Sequence, residues 1–319
     1  MTRSLLVLGA IALAAFMLAL AVGSVTITPS ELWAVIQGEG NKLHQTLLLE
    51  LRLPRTLAAF ATGGLLAVAG ALMQVLLRNP LADPYVLGLS GGAAVGALLA
   101  MLAGMGALLI SGSAFAGAML AMVLVFGLAH GTGSWTASRL LLTGVVVAAG
   151  WGAVITLMLA ITPSYKLPGM LYWLMGDVSY ARTPWPAFVV LVLAILVIMP
   201  LARNLNVLAR GPMQAAALGV SVRPLEWTIY VLASLLTATA VTTAGSIGFV
   251  GLIVPHMLRL VLGNDQRIIL PASALAGGTL LVLADTLART VIAPEQLPVG
   301  VITALLGVPT FLYLLHRSR

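Results

Sequence analysis

Residues 76–96, LLRNPLADPYVLGLSGGAAVG, interrupt two long apolar runs with a charged, proline-rich segment. The interruption is conspicuous because charged residues make up only 8% of the chain. Its two prolines stop the preceding helix, since proline lacks an amide hydrogen and its ring clashes with the turn before it. Its asparagine and aspartate are typical of turns and helix caps, and glycines follow at once. The segment therefore predicts a sharp turn between two helices, built on Arg78, Asn79, Pro80, Asp83 and Pro84.

The rest of the chain is too apolar for a soluble protein of its size. Of its 319 residues 61% are hydrophobic, and the mean hydropathy is +1.09. A membrane-spanning helix needs roughly 20 apolar residues, and runs near that length occur at 4–25, 53–77, 86–110, 112–129, 139–161, 185–201, 227–244, 248–262, 269–290 and 297–315. The alternation expected of a β-barrel is absent. We predict an all-α membrane protein with about ten transmembrane helices in a single domain over residues 1–319, or nine if the short run 248–262 is re-entrant.

The charges between these runs orient the protein. With the N-terminus inside, ten of the 16 lysines and arginines fall on the inner side, and six fall outside: Lys42, Arg52, Arg55, Lys166, Arg182 and Arg289. An inner excess is expected of a membrane protein. Both termini are therefore predicted to be cytoplasmic.

Several classes of chemistry lack the residues that they need. The chain has no cysteine, which excludes disulfides and thiolate metal sites. Neither Lys42 nor Lys166 follows a glycine or precedes a serine or threonine, so no phosphate-binding P-loop is present and the chain is not expected to hydrolyse ATP. Asp285 lies in an apolar run and is expected to pair with Arg289 on the same helix face. The missing acidic array disfavours an ion-driven carrier, and the lack of paired carboxylates disfavours an intramembrane enzyme.

Three stretches resemble the permease family that imports iron-siderophores, haem and vitamin B12 through ATP-binding-cassette transporters (FecCD-type). They are RLPRTLAAFATGGLLAVAGALMQVLLRNPLADPYVLGLSGGAAVGA, GSIGFVGLIVPHMLRLVLGNDQRIILPASALAGGTLLVLADTLAR and LPVGVITALLGVPTFLYLL. The resemblance implies a type II importer permease with about ten transmembrane helices per subunit, acting as a homodimer. Its implied partners are a second copy of itself, two ATP-binding-cassette ATPase subunits and one periplasmic substrate-binding protein. No cofactor is expected on this chain, whereas ATP and magnesium belong to the ATPase.

The resemblance assigns roles to residues at both ends of the bundle. On the outside, Arg52, Arg55 and Arg289 match the basic residues that dock the binding protein, with lipid-headgroup anchoring as the alternative. On the inside, the loop 203–226 matches the coupling helices that sit on the ATPase, and an interfacial helix without a partner is the alternative. Two short helices around Gly219 are expected in this loop. Its coupling residues are Met213, Gln214, Ala215, Ala216, Ala217, Leu218, Gly219 and Val220, with Val220 to Leu225 leading out.

Two further motifs receive roles from the resemblance. WTASRLLLTG matches a hydroxyl-rich cytoplasmic gate, here Thr136, Ala137 and Ser138, although Ala137 departs from the three hydroxyls of the vitamin B12 permease. Pro255 and His256 of GFVGLIVPH join the RNPLADP turn as a structural signature. We therefore expect an inner-membrane permease for a ferric siderophore or haem. Vitamin B12 import by the same mechanism is the alternative, and an ion-driven secondary carrier is the alternative from another class.

Overall fold

The computed structural model describes residues 2–23, 25–129, 136–181 and 183–317. Helices account for 81% of the structure, and the described ranges contain no strand. The α-helices are α1 Thr2–Ala21, α2 Pro29–Ile36, α3 Lys42–Gln45, α4 Leu53–Leu76, α5 Leu89–Leu102, α6 Ala107–Ala129, α7 Ala137–Ile161, α8 Leu167–Met175, α9 Trp185–Ile198, α10 Ala202–Leu208, α11 Pro212–Ala217, α12 Val222–Ala244, α13 Val250–Leu262, α14 Gln266–Thr290 and α15 Val299–Arg317. Arg182, Arg319, and the Trp135 that opens the gate motif lie outside the described residues.

Each of the ten apolar runs of the sequence corresponds to a helical segment in the described structure. Within the described residues, seven segments are long and apolar enough to cross a membrane, and three shorter apolar helices join them at Leu89–Leu102, Val250–Leu262 and Val299–Leu314. The predicted all-α architecture is confirmed. The 13 residues of α13 rise only about 20 Å, so this helix alone does not cross a hydrocarbon core of about 30 Å.

Helix α4 is the central helix of the bundle and packs against α9, α12, α13 and α14. Of the most apolar part of the segment Lys42–Leu76, 89% is buried. Its alanines and glycines allow backbones to come close, which is how membrane helices pack when lipid removes the hydrophobic driving force between them. Gly63 of α4 lies against the backbone of Gly277, and Gly70 lies against that of Gly251.

The loop 203–226 differs from its predicted layout. Its two short helices, α10 and α11, both precede Gly219 instead of flanking it. Gly219 has a φ of +80° and ends α11, and the next helix begins at Val222 and continues into the membrane. Pro224 does not interrupt that helix because the first turn needs no amide hydrogen at this position.

Candidate functional site

The N-terminal end of α4 and the C-terminal end of α14 hold a buried network around the Asp285 carboxylate. Arg55 Nε lies 3.0 and 3.1 Å from the two carboxylate oxygens of Asp285, and its Nη2 lies 2.8 Å from Oδ1. Arg289 Nε lies 3.1 Å from Oδ2, an ion pair without a hydrogen bond. Asp177 and Gln296 complete the network, 3.8 Å and 2.6 Å from Arg55. The expected Asp285–Arg289 contact is present, and Arg55, 230 residues away in the chain, is a partner that the sequence reading missed.

Arg52 and Arg289 hold the end of α1. Arg52 Nη1 donates to the carbonyl oxygens of Leu20 and Ala21 at 2.7 and 3.1 Å, and its Nη2 donates to that of Val25. Arg289 Nη2 donates to the carbonyl of Ala19 at 3.2 Å. The last carbonyls of a helix have no partner within the helix, and cations at that end interact favourably with its dipole. Both guanidinium groups are buried, and each binds backbone carbonyls of the α1 segment.

The predicted gate residues begin α7. Thr136 is the N-cap, and its Oγ1 accepts a hydrogen bond from the amide of Arg139 at 3.2 Å. Ala137 is the first helical residue, and Ser138 is exposed in the first turn. Thr136 therefore has a local capping role, and Ser138 is exposed close to it.

The RNPLADP turn has a specific local structure. Arg78 adopts a φ of +48° directly after α4, its amide donates to Val75, and the amide of Asn79 donates to Gln74. This pair of hydrogen bonds is the Schellman motif, which needs a left-handed residue at this position. The Asn79 side chain then accepts from the amide of Leu81 at 2.9 Å.

Asp83 ends the turn by capping the 3₁₀ helix that begins at Pro84. Its Oδ1 accepts from the amide of Tyr85 at 2.7 Å. Burial raises the pKa of the Asp83 carboxyl to about 6, against the lowering effect of the Tyr85 amide. Gly88, with a φ of +71°, then connects to α5.

The GFVGLIVPH motif begins α13. Phe249 has a φ of +70° and lies against Gly307 of the PVGVITALLGVP stretch, where a side chain would collide with it. Pro255 is buried inside α13, and His256 follows it half-buried. The two motifs, almost 60 residues apart in the sequence, are thus packed against each other.

A polar cavity of about 560 Å³ opens at the C-terminal end of α4. Its lining comes from the ends of α4, α10, α13 and α14 and includes three arginines, Arg78, Arg210 and Arg259. Arg259 donates to Gln74 Oε1 and, at 3.3 Å, to the carbonyl of Ala71. The sequence reading placed all three arginines on the inner side but did not bring them together. Gln74, a polar residue within an apolar run, was the available signal.

A second cavity in the described part of the chain is mainly apolar. This cavity of about 700 Å³ between α1, α13, α14 and α15 is lined almost entirely by apolar side chains. Within the described ranges, no three histidine, aspartate or glutamate side chains group closely enough to hold a metal ion. The structure thus offers a buried arginine network at one end of the bundle and a basic cavity with a helical loop at the other.

Comparison with known proteins gives a consistent result over nearly the whole chain. Residues 11–317 match the FecCD transport family. The chain is 40% identical over 293 residues to the ABC transporter permease YvrB of Bacillus subtilis, covering 88% of this chain and 82% of that one. It is 39% identical over 334 residues to the vitamin B12 import permease BtuC of Vibrio cholerae, covering 99% and 95%. It is also 39% identical over 306 residues to the hemin transport permease HmuU of Yersinia pestis, covering 93% and 90%.

Solved structures agree with the sequence comparison. A metal-chelate-type ABC transporter in an inward-facing conformation matches with a TM-score of 0.88 at 29% identity, over 99% of this chain and 100% of that one. PsaBC of Streptococcus pneumoniae shares the fold, with a TM-score of 0.58 at 17% identity.

Proposed function

Because the chain belongs to the FecCD transport family and is a multi-pass permease of the type II importer class, we propose that it moves a metal chelate from the periplasm to the cytoplasm. The observation that carries this proposal is the structural match to a metal-chelate transporter from end to end of the chain. The proposed cargo is a ferric siderophore or haem, and the hemin permease among the relatives supports it. The vitamin B12 permease of Vibrio cholerae, at the same identity, supports cobalamin as the second candidate.

The proposed complex has this chain as a homodimer in the bacterial inner membrane, with both termini cytoplasmic. Two separate ATPase subunits bind and hydrolyse ATP with magnesium, and one periplasmic binding protein delivers the chelate. The chain itself holds no cofactor and makes no bond in this scheme. The absence of a P-loop sequence supports the assignment of ATP to a partner.

Coupling to the ATPase is assigned to the inner loop, with Met213 to Gly219 as the contact. Met213 on α11 and Leu218 directly after it are largely exposed apolar side chains, which is unusual for a loop in water and suits a surface that a partner covers. Asn206 attaches this loop to the spans, since its side chain donates to Asp265 at 2.9 Å and accepts from the amide of Gln266 at 2.8 Å. Movement of α11 would therefore be transmitted to α14. Thr136, Ala137 and Ser138 remain the proposed gate.

Docking of the binding protein is assigned to the outer arginine network. Arg52 and Arg289 hold α1, so we give them a positioning role, and we give direct contact to Arg55, whose Nη1 reaches the exposed Gln296. Guanidinium groups suit bidentate pairing with carboxylates. In Arg55→Gln we expect the affinity for the binding protein to fall about tenfold, while Asp285 stays paired with Arg289. Lys42→Glu, an exposed outer control, should change the affinity by less than twofold in a pull-down titration.

The deciding experiment uses the chain in liposomes with its ATPase and binding protein. ATP-dependent uptake of radiolabelled ferric siderophore, haem and cobalamin is followed in parallel. Uptake of one chelate would identify the cargo, and uptake of none would overturn the chelate assignment. Uptake that persists with a hydrolysis-deficient ATPase would instead indicate an ion-driven carrier.

A further inference from the structure

The polar cavity at the inner end of α4 has an excess of positive charge. Arg78, Arg210 and Arg259 contribute three guanidinium groups, and Asp265 is the one carboxylate among the described lining residues. Within the described part of the chain, none of the three arginines has a carboxylate within ion-pair distance. Glu226 on α12 attracts Arg78 only at longer range.

Asp265 does not neutralise the cavity, because its carboxylate is already occupied. Arg267 binds it through Nε at 3.1 and 3.0 Å and through Nη2 at 2.7 Å, and Asn206 donates to it at 2.9 Å. These hydrogen bonds hold the pKa of Asp265 well below its usual value. The pair Asp265–Arg267 is neutral as a unit, so Asp265 does not compensate the charge of the three cavity arginines.

Arg259 differs from the other two arginines because its side chain is partly buried and its hydrogen-bond partners are neutral. It donates to Gln74 Oε1 and to the Ala71 carbonyl. A partly buried guanidinium is costly unless a negative group is near. Arg78 and Arg210, in contrast, are exposed at the mouth. The cavity therefore presents two accessible cations, Arg78 and Arg210, at its mouth. The third, Arg259, lies deeper and is held by Gln74 and Ala71.

The position of the cavity indicates what could fill it. It lies at the C-terminal end of α4, the helix at the centre of the bundle. Arg210 immediately precedes Gly211 and α11, the loop that we assign to the ATPase. A group that enters the cavity would therefore come from the cytoplasmic side, beside the coupling loop.

We propose that this cavity receives a carboxylate side chain, aspartate or glutamate, of the ATP-hydrolysing subunit. The carboxylate pairs with Arg210 and Arg78 at the mouth and faces Arg259 below. This inference rests on the proposed function. It adds a second contact between the permease and the ATPase, separate from the exposed apolar side chains of Met213 and Leu218. Because α10, α13 and α14 meet at the cavity, an anchored carboxylate would hold the coupling loop and the ends of two spans together.

The test measures the affinity of the purified ATPase subunit for the permease in nanodiscs, with neutral and with anionic lipids. In Arg210→Glu and Arg78→Glu we expect the affinity to fall about tenfold to a hundredfold and its salt dependence to weaken. The matched control is Arg139→Glu, an exposed inner arginine at the start of α7 and outside the cavity, which should change the affinity less than twofold. Replacing acidic residues of the ATPase by arginine should then yield one variant that restores binding to Arg210→Glu.

The outcomes separate the two proposals. If wild type and Arg139→Glu bind the ATPase and Arg210→Glu and Arg78→Glu bind equally well, the cavity proposal is overturned while the proposed function stands. If no form binds the ATPase, both fail. If the two cavity variants lose affinity only in anionic membranes, the occupant is a lipid phosphate and the carboxylate assignment is wrong.

Discussion

At the scale of single residues, buried charge is concentrated on Asp285. Asp285 is 1% exposed, and its carboxylate forms ion pairs with Arg55 and Arg289. We predict that Asp285→Asn lowers the free energy of unfolding by about 3–5 kcal/mol, because removing one member of a buried ion pair leaves the other charge unpaired. Unfolding in a mixed-detergent titration measures the change. Arg267→Gln breaks the partly exposed Asp265 pair and should cost at most about 1 kcal/mol. Equal losses in the two variants would contradict the prediction.

Arg78 combines an unfavourable backbone conformation with a position in the basic cavity. Its φ of +48° is a conformation that asparagine tolerates better than arginine. We predict that Arg78→Asn stabilises the protein by about 0.5–1 kcal/mol and yet weakens ATPase binding. Thermal unfolding and the nanodisc affinity assay measure the two effects. The control Arg139→Asn, in the first turn of a helix, should change neither the stability nor the ATPase affinity. If Arg78→Asn raised both quantities or lowered both, the prediction would be wrong.

The Asp83 carboxyl predicts a pH-dependent stability. Its pKa is raised to about 6 by burial, so the folded state binds a proton more tightly than the unfolded state, and stability falls as pH rises from about 4 to about 6. Asp83→Asn keeps the acceptor for the Tyr85 amide and removes the ionisation. We predict that its melting temperature exceeds that of the wild type at pH 8 and that the difference disappears towards pH 4.

The control for this effect is Asp83→Ala, which loses the cap. It should be less stable than Asp83→Asn by about 1 kcal/mol at every pH. Parallel melting curves for wild type and Asp83→Asn between pH 4 and 8 would show that the carboxyl does not titrate as the structure indicates.

At the scale of elements, the short helix α13 depends on close approach to α4. Gly70 lies directly against the backbone of Gly251, and no flexible side chain is there to move aside. We predict that Gly70→Ala separates the two helices and abolishes stable folding, measured as loss of a monodisperse peak in gel filtration. Gly127→Ala on α6 is the matched control, because nothing lies within 4 Å of that position and it faces outward. If both variants lost the monodisperse peak, the close contact of Gly70 with Gly251 would not be the cause of the loss.

The helices and turns also show which features of the fold can be predicted from sequence. The spans and the turn at 78–88 depend on neighbouring residues, through apolar length, prolines and capping side chains, so they could be predicted. The layout of the inner loop could not, because α10 is positioned by the Asn206–Asp265 contact, 59 residues apart. The same holds for Arg55 with Asp285 and for Gln74 with Arg259, whose partners are set by helix packing that no local pattern encodes.

At the scale of the whole molecule, both proposed interfaces depend on the orientation in the membrane. If the N-terminus is inside, the Arg55 network meets the binding protein and the basic cavity meets the ATPase. The inner excess of basic residues supports this orientation. The chain has no cysteine, so a single introduced cysteine reports its own side without background labelling.

We predict that Glu39→Cys reacts with a membrane-impermeant maleimide in right-side-out vesicles, and that Ser221→Cys reacts only in inverted ones. Both positions are exposed, before α3 and before α12 respectively. Labelling of both after detergent addition controls for intrinsic reactivity. The reversed pattern would place the Arg55 network in the cytoplasm and the coupling loop outside. Since ATP hydrolysis is confined to the cytoplasm, that result would overturn the docking, coupling and cavity assignments together, whereas the predicted pattern leaves each to its own test.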